Sequence, residues 1–211
     1  MARKPARKAK SKPRRGAAQS KRAKDPIDAA LQLAAVQGWR HTSLADIAEA
    51  SHLTIAELHR RYKSKAEIVA AFMRRIDGQM AKGGAKASAG ESARDRLFET
   101  VMRRFDLLQP HRKGVTAIVR DSVYDPVALV CGLGPSARRT LDAILTAAEL
   151  DAGGLIGAAR RVGLGLIYAD VARVWLTDDA TDMSKTMAAL DLRLKRAESL
   201  LRMLGRDAAP A

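Results

Sequence analysis

Residues 42–65 hold the densest chemistry in this sequence. Thr42, Ser43 and Thr54 stand where two short helices would begin, and a helix start offers free N–H groups beside a hydroxyl, a combination that takes phosphate. Arg60, Arg61, Lys63 and Lys65 follow, where a nucleic-acid backbone would pass. Between these groups lie Ile55, Glu57 and His59. An isoleucine suits a thymine methyl group, and a histidine exchanges hydrogen bonds with phosphates or base edges. For Glu57 two roles stand side by side: accepting from a cytosine amino group, or closing a capping box with Thr54.

Other chemistry is excluded. His41, His52, His59 and His111 lack metal-ligand spacing with Cys, Asp or Glu, and the single Cys131 can form neither an intrachain disulfide nor a zinc ribbon. Asp178 and Asp179 precede a helix cap near Thr181 and have no nucleophile placed beside them. No glycine-rich phosphate loop follows a strand, because no strand alternation occurs. Neither an enzyme, a metal nor a cofactor is expected.

The elements that would position residues 42–65 are helices throughout, so an all-α fold is expected. Asp25-Pro26 caps a first helix carrying Ile27, Ala30, Leu31 and Ala34, ended by Gly38. Thr42-Ser43 opens a second with Leu44, Ile47 and Ala48 inward; Thr54…Glu57 and Ser64…Glu67 are capping-box patterns for a third and a fourth. Three helices in residues 26–65 have the spacing of a helix-turn-helix whose third helix enters the major groove. The stretch Gly83–Glu91 reads as a linker. Ser92 caps a helix through Leu97, Val101, Phe105 and Leu108, closed by Pro110, and an irregular stretch runs on to Tyr124. Asp125-Pro126 restarts a helix, and Gly134-Pro135 interrupts it. A helix over 155–176 carries Gly157, Gly163 and Gly165, which favour close backbone approach. The last helix repeats Met183, Met187, Leu190, Leu194, Ala197, Leu201 and Leu204 at heptad spacing, a seam for another helix. Three parts result: a disordered basic tail (1–24), a helix-turn-helix domain with its connecting helix (25–82), and a helical dimerisation bundle (92–205).

Charge is divided along the same lines. The net charge is +15 over 211 residues, and residues 1–24 carry eleven Lys or Arg and no acid. The remaining 27 basic and 23 acidic residues leave the rest only mildly basic. The tail therefore reads as a separate polyelectrolyte that contacts phosphates and displaces counterions. No secretory signal and no membrane span are expected, and a lone thiol fits the cytoplasm.

The run Gly38…Thr42-Ser-Leu-Ala-Asp46-Ile47-Ala48-Glu-Ala50…Leu53-Thr54…Leu58-His59…Tyr62-Lys-Ser64-Lys65…Ile68 resembles the DNA-binding domain of the TetR family of bacterial regulators. The resemblance implies an all-helical fold, a homodimer, and a C-terminal domain whose ligand changes DNA affinity. Two departures stand out. His52 replaces the family's turn glycine, so the turn must hold a side chain at positive φ, and His59 replaces the usual tyrosine of the recognition helix. The segments Thr140–Ile144, Gly165–Tyr168, Val174–Asp178 and Ala189–Arg193 are similar to the C-terminal domain of the ubiquinone-biosynthesis accessory proteins, which implies a lipid-binding cavity and a hydroxylase partner. Gly154–Ala159 replaces that family's aromatic stretch ahead of Arg160-Arg161.

The expected function is a dimeric, sequence-specific DNA-binding regulator, a repressor released by a small apolar or lipid-like ligand, with its dimer held by residues 155–176 and 183–204. A lipid-binding accessory protein of quinone synthesis is the alternative. A non-specific nucleic-acid coat protein would need more basic surface than the tail provides.

Overall fold

The computed structural model describes residues 24–83, 91–122 and 134–207. Every regular element among them is helical. Tail residues 1–23, the linker residues 84–90 and the helix start at Asp125-Pro126 lie outside the described residues.

Helix α1 (Pro26–Gln37) starts where Asp25 accepts from the Ile27 N–H at 2.9 Å and ends at Gly38. Helix α2 (Leu44–Ala50) and α3 (Ile55–Arg61) each begin with a complete capping box, Ser43 with Asp46 and Thr54 with Glu57. The Ser43 box was not expected, and the second expected box, at the start of α4 (Lys65–Lys82), is only half made. Ser64 accepts from the Glu67 N–H, but the Glu67 carboxylate reaches back to the Lys63 N–H instead, at 2.8 Å.

Helix α5 (Ala93–Leu108) does not lead into irregular chain. A 3-10 turn (Gln109–His111) carries it directly into α6 (Arg112–Ser122). Pro110 sits in the first turn of that short helix, where its missing N–H breaks no bond. Helices α7 (Gly134–Ala147), α8 (Gly154–Thr177) and α9 (Ser184–Asp207) complete the described chain.

Buried residues of α1–α4 and of α5–α9 join one core. Helix α1 lies along α6, and α4 lies on α5 and α7. Gly114 makes the α1–α6 crossing possible: a Cβ there would sit 2.5 Å from the Leu31 carbonyl oxygen. Gly157 likewise faces the Ala152 backbone, as its sequence position suggested, whereas Gly163 faces open space. Between α4, α5, α7 and α8 lies a buried polar cluster. The Arg104 guanidinium, 2% exposed, donates to Asp77 at 3.0 Å and to the Tyr168 hydroxyl, and Thr140 donates to the other Asp77 oxygen at 2.8 Å. Tyr168 stacks on Phe105, and burial pushes its phenol above the ordinary range against the opposing pull of Arg104.

The heptad seam of the last helix is divided. Met183, Leu190 and Leu194 are buried in the chain's own core, while Leu200, Leu201 and Met203 face outward. Leu155, Ile156, Val162 and Leu166 of the adjoining α8 are also exposed. No helix among the described residues is long and apolar enough to cross a membrane, and no group of three His, Cys, Asp or Glu is placed to hold a metal ion.

Candidate nucleic-acid interface

The turn between α2 and α3 is built from short-range bonds. Buried Ser51 donates its hydroxyl to the Ile47 carbonyl at 2.6 Å, and the Leu53 N–H returns to the Ala48 carbonyl. His52 takes φ +57°, the left-handed conformation expected where a histidine stands in the glycine's place. Leu58, fully buried, and half-buried Tyr62 then fix α3 against the core. This leaves Ile55, His59, Arg60 and Arg61 outside, with Lys63 exposed just beyond the helix. A compact cationic end and an apolar lead residue thus share one short helix.

The ten candidate residues separate into three groups. Ile55 (44% exposed), His59, Arg60, Arg61, Lys63 and Ser43 are on the surface and accessible to a partner. Thr54 and Glu57 bind each other. The Glu57 carboxylate accepts from the Thr54 N–H at 2.8 Å and from its hydroxyl at 2.7 Å, which holds the carboxyl below the ordinary range. Of the two roles open to Glu57, capping is the one the geometry fills. Asp46 is lowered in the same way by the Ser43 N–H.

Thr42 and Lys65 form the third group and are corrections. Thr42 is 1% exposed; its hydroxyl donates to the Gly38 carbonyl at 2.8 Å and its N–H to the Trp39 carbonyl, so neither reaches a phosphate. Lys65 turns inward over the Trp39 ring and donates to the Trp39 and Thr42 carbonyls at 2.7 and 2.8 Å. Burial lowers the affinity of its amine for the proton, against the pull of Asp121 and Asp46. Both residues fell to the fold because the turn between α1 and α2 has carbonyls that no helix satisfies.

That turn is held from the other side by a residue with no local sequence link to it. Asp121, at the end of α6, accepts from the Arg40 N–H at 3.0 Å and from Arg120 at 3.1 Å. The Arg40 N–H, more than any other group, keeps the Asp121 carboxyl below the ordinary range. Helix α6 and the turn leading into α2 are therefore joined by a charge-assisted bond. The signal was present in the sequence: Gly114, Ala117, Ile118 and Asp121 share one face of α6, and an acid on an apolar face needs a partner.

An open groove of about 1640 Å³ runs beside this junction, lined by α1, α4, α6 and the end of α8. Leu31, Ile76, Ala117 and Leu176 give it apolar walls, and Arg75 and Arg112 bring charge to its rim. Arg75 binds Asp25 and Asp28, and Arg112 lies 3.5 Å from Asp179.

Comparison with known proteins finds matches for two segments of the chain. Residues 27–72 match the model of the bacterial regulatory proteins of the tetR family, and residues 135–201 match the COQ9 model. A search of curated proteins returns no match. Among solved structures, the chain is similar to the TetR transcriptional regulator from Nitrosomonas europaea ATCC 19718, with a TM-score of 0.66 and 23% identity over 82% of this chain and 95% of that one. It is also similar to a TetR transcriptional regulator from Rhodococcus sp. RHA1, with a TM-score of 0.58 and 24% identity over 80% and 93%. The chain thus has the fold of the TetR regulators, with their helix-turn-helix model matched near its N-terminal end and a COQ9 match in its C-terminal region.

Proposed function

We propose that the chain is a dimeric, sequence-specific DNA-binding transcriptional regulator, acting in the cytoplasm as a repressor that a small apolar ligand releases. The observation that carries the reading is the outer face of α3. Ile55 and His59 stand one turn apart beside Arg60, with Arg61 and Lys63 at the far end, and the turn before α3 is held by the Ser51 hydroxyl on the Ile47 carbonyl and the Leu53 N–H on the Ala48 carbonyl. Side chains with base-edge chemistry are thereby held on a rigid helix with cations at the border, which is the division between reading and positioning that duplex recognition needs. In this reading Ser43, Arg60, Arg61 and Lys63 bind phosphates, and residues 25–82 and 92–205 act as the DNA-binding and the ligand-binding parts.

Dimerisation is supported by the exposed apolar residues of α8 and α9, which would otherwise face water. Two helix-turn-helix units must stand about 34 Å apart to read paired half-sites, and a two-fold contact between these helices supplies the link. The groove beside α1 and α6 is the place offered for the ligand, since it touches both parts.

The test is an anisotropy titration of duplex DNA with the full chain and with Arg60→Ala/Arg61→Ala. The pair should lower affinity for every duplex together. Equal affinity in the variant would remove α3 from the interface. The COQ9 match over 135–201 favours a second reading, a lipid-binding accessory role with the DNA domain retained but idle. Binding of quinone-like lipid with no affinity for any duplex would select it.

A further inference from the structure

The Nδ1 atom of His59 lies 3.0 Å from the Ile55 carbonyl oxygen, one turn back on α3. A carbonyl oxygen only accepts, so Nδ1 must carry the ring proton. A neutral imidazole carries one such proton. Its second nitrogen, Nε2, is then a lone pair on an exposed side chain. A lone pair repels phosphate oxygens and the O6 and N7 acceptors of guanine alike. It suits a base that offers a donor in the major groove, and only the exocyclic amino groups of adenine and cytosine do so.

We propose that His59 is a specificity-determining residue: its Nε2 accepts from the major-groove amino group of an adenine or cytosine, while the Ile55 carbonyl fixes the tautomer that makes this possible. The inference rests on α3 being the recognition helix. It assigns His59 a base, not the phosphate that a donor at this position would take. Glu57 lies two residues after Ile55, on another side of α3, and Thr54 donates twice to its Oε2, which holds the side chain at the helix start. Arg60 is exposed next to His59 and answers to the phosphates that His59 refuses. Ile55 is exposed on the same face and suits a thymine methyl on a neighbouring pair. Each half-site should therefore pair an amino-bearing base with a thymine close by.

The test is selection of binding sites from a random duplex library in a buffer of about pH 8. The full chain, His59→Ala and His59→Arg are compared. The wild type should enrich a motif with adenine or cytosine at one position of each half-site, preferred about 10-fold or more over guanine. His59→Ala should flatten that position and leave the others. His59→Arg should turn it to guanine, which a guanidinium binds through O6 and N7. A motif that His59→Ala leaves unchanged, or a position lost in His59→Ala that was guanine or thymine, overturns the assignment while α3 stays the reading helix. A wild type that enriches no motif overturns the reading of α3 and this inference with it. Circular dichroism should show equal helicity in all three chains, since His59 is exposed and packs into no core.

Discussion

Gly114→Ala pushes α1 and α6 apart where their backbones meet closely. A Cβ at residue 114 would stand 2.5 Å from the Leu31 carbonyl oxygen and 3.2 Å from the Leu31 carbon atoms, all of them α1 backbone. Ordinary contact begins near 3.4 Å, so α1 and α6 must part by about 0.9 Å. No rotamer relieves the clash, because no flexible side chain takes part. Overpacking of this kind costs about 1–3 kcal/mol. Alanine recovers up to about 1 kcal/mol through its better helix propensity. The net expectation is a loss of about 1–2 kcal/mol, read as a thermal midpoint roughly 2–8 °C lower. Gly78→Ala is the internal control. It lies in the middle of α4 with nothing within 4 Å of the new Cβ, and it should gain about 0.5–1 kcal/mol. Calorimetry on both variants decides the matter. If Gly114→Ala is as stable as the wild type, the α1–α6 crossing does not have the closeness described. Because Asp121 on α6 holds the Arg40 N–H, the same variant should also weaken duplex binding.

Four further outcomes are expected. Arg104→Ala strands Asp77 beside Tyr168 in a buried site and should cost about 3–5 kcal/mol in denaturant unfolding, while a loss under about 1 kcal/mol would mean that the cluster is open to water. Asp46, Glu57 and Asp121 all have carboxyl groups held below their ordinary values by hydrogen bonds, so their contribution is complete above about pH 5 and lost as pH falls through the lowered values; Tm should drop between about pH 5 and about pH 3, and Glu57→Gln should shrink that drop. Leu166→Glu with Leu201→Glu, at positions 71% and 69% exposed in the single chain, should leave the fold intact and convert a dimer to monomers by light scattering; an unchanged mass would move the interface elsewhere. Removing residues 2–24 should weaken specific and random duplexes alike and flatten the salt dependence of binding, and an unchanged slope would show that its eleven cations stay off the DNA.

What the sequence disclosed follows from the range of the forces involved. Caps are local: Asp25, Ser43, Thr54 and Ser92 each mark a helix start because the bond spans two or three residues. Helix α6 escaped notice because Pro110 reads as a helix stop. Pro110 lies in a 3-10 turn that needs no N–H there, and Gly114 within α6 is demanded by Leu31, eighty-three positions away in the chain. The same distance explains the site. Ile55, His59 and Arg60 were legible as surface residues because α3 is amphipathic in its own right. Lys65 and Thr42 were not, since the carbonyls they satisfy belong to a turn whose shape only the folded chain defines. The last helix shows a third limit. A heptad stripe announces that an apolar face will be covered, but not by what, and here Leu190 and Leu194 meet the chain's own core while Leu201 does not.

The central claim is that α3 reads duplex DNA in a sequence-dependent way. Occupancy of the full chain across the genome of its own cell, mapped by crosslinking and sequencing, tests it most directly. The account predicts discrete sites that share an inverted repeat with half-site centres about one or a whole number of helical turns apart. A uniform signal that follows only DNA abundance, or no recovered DNA at all, would contradict it.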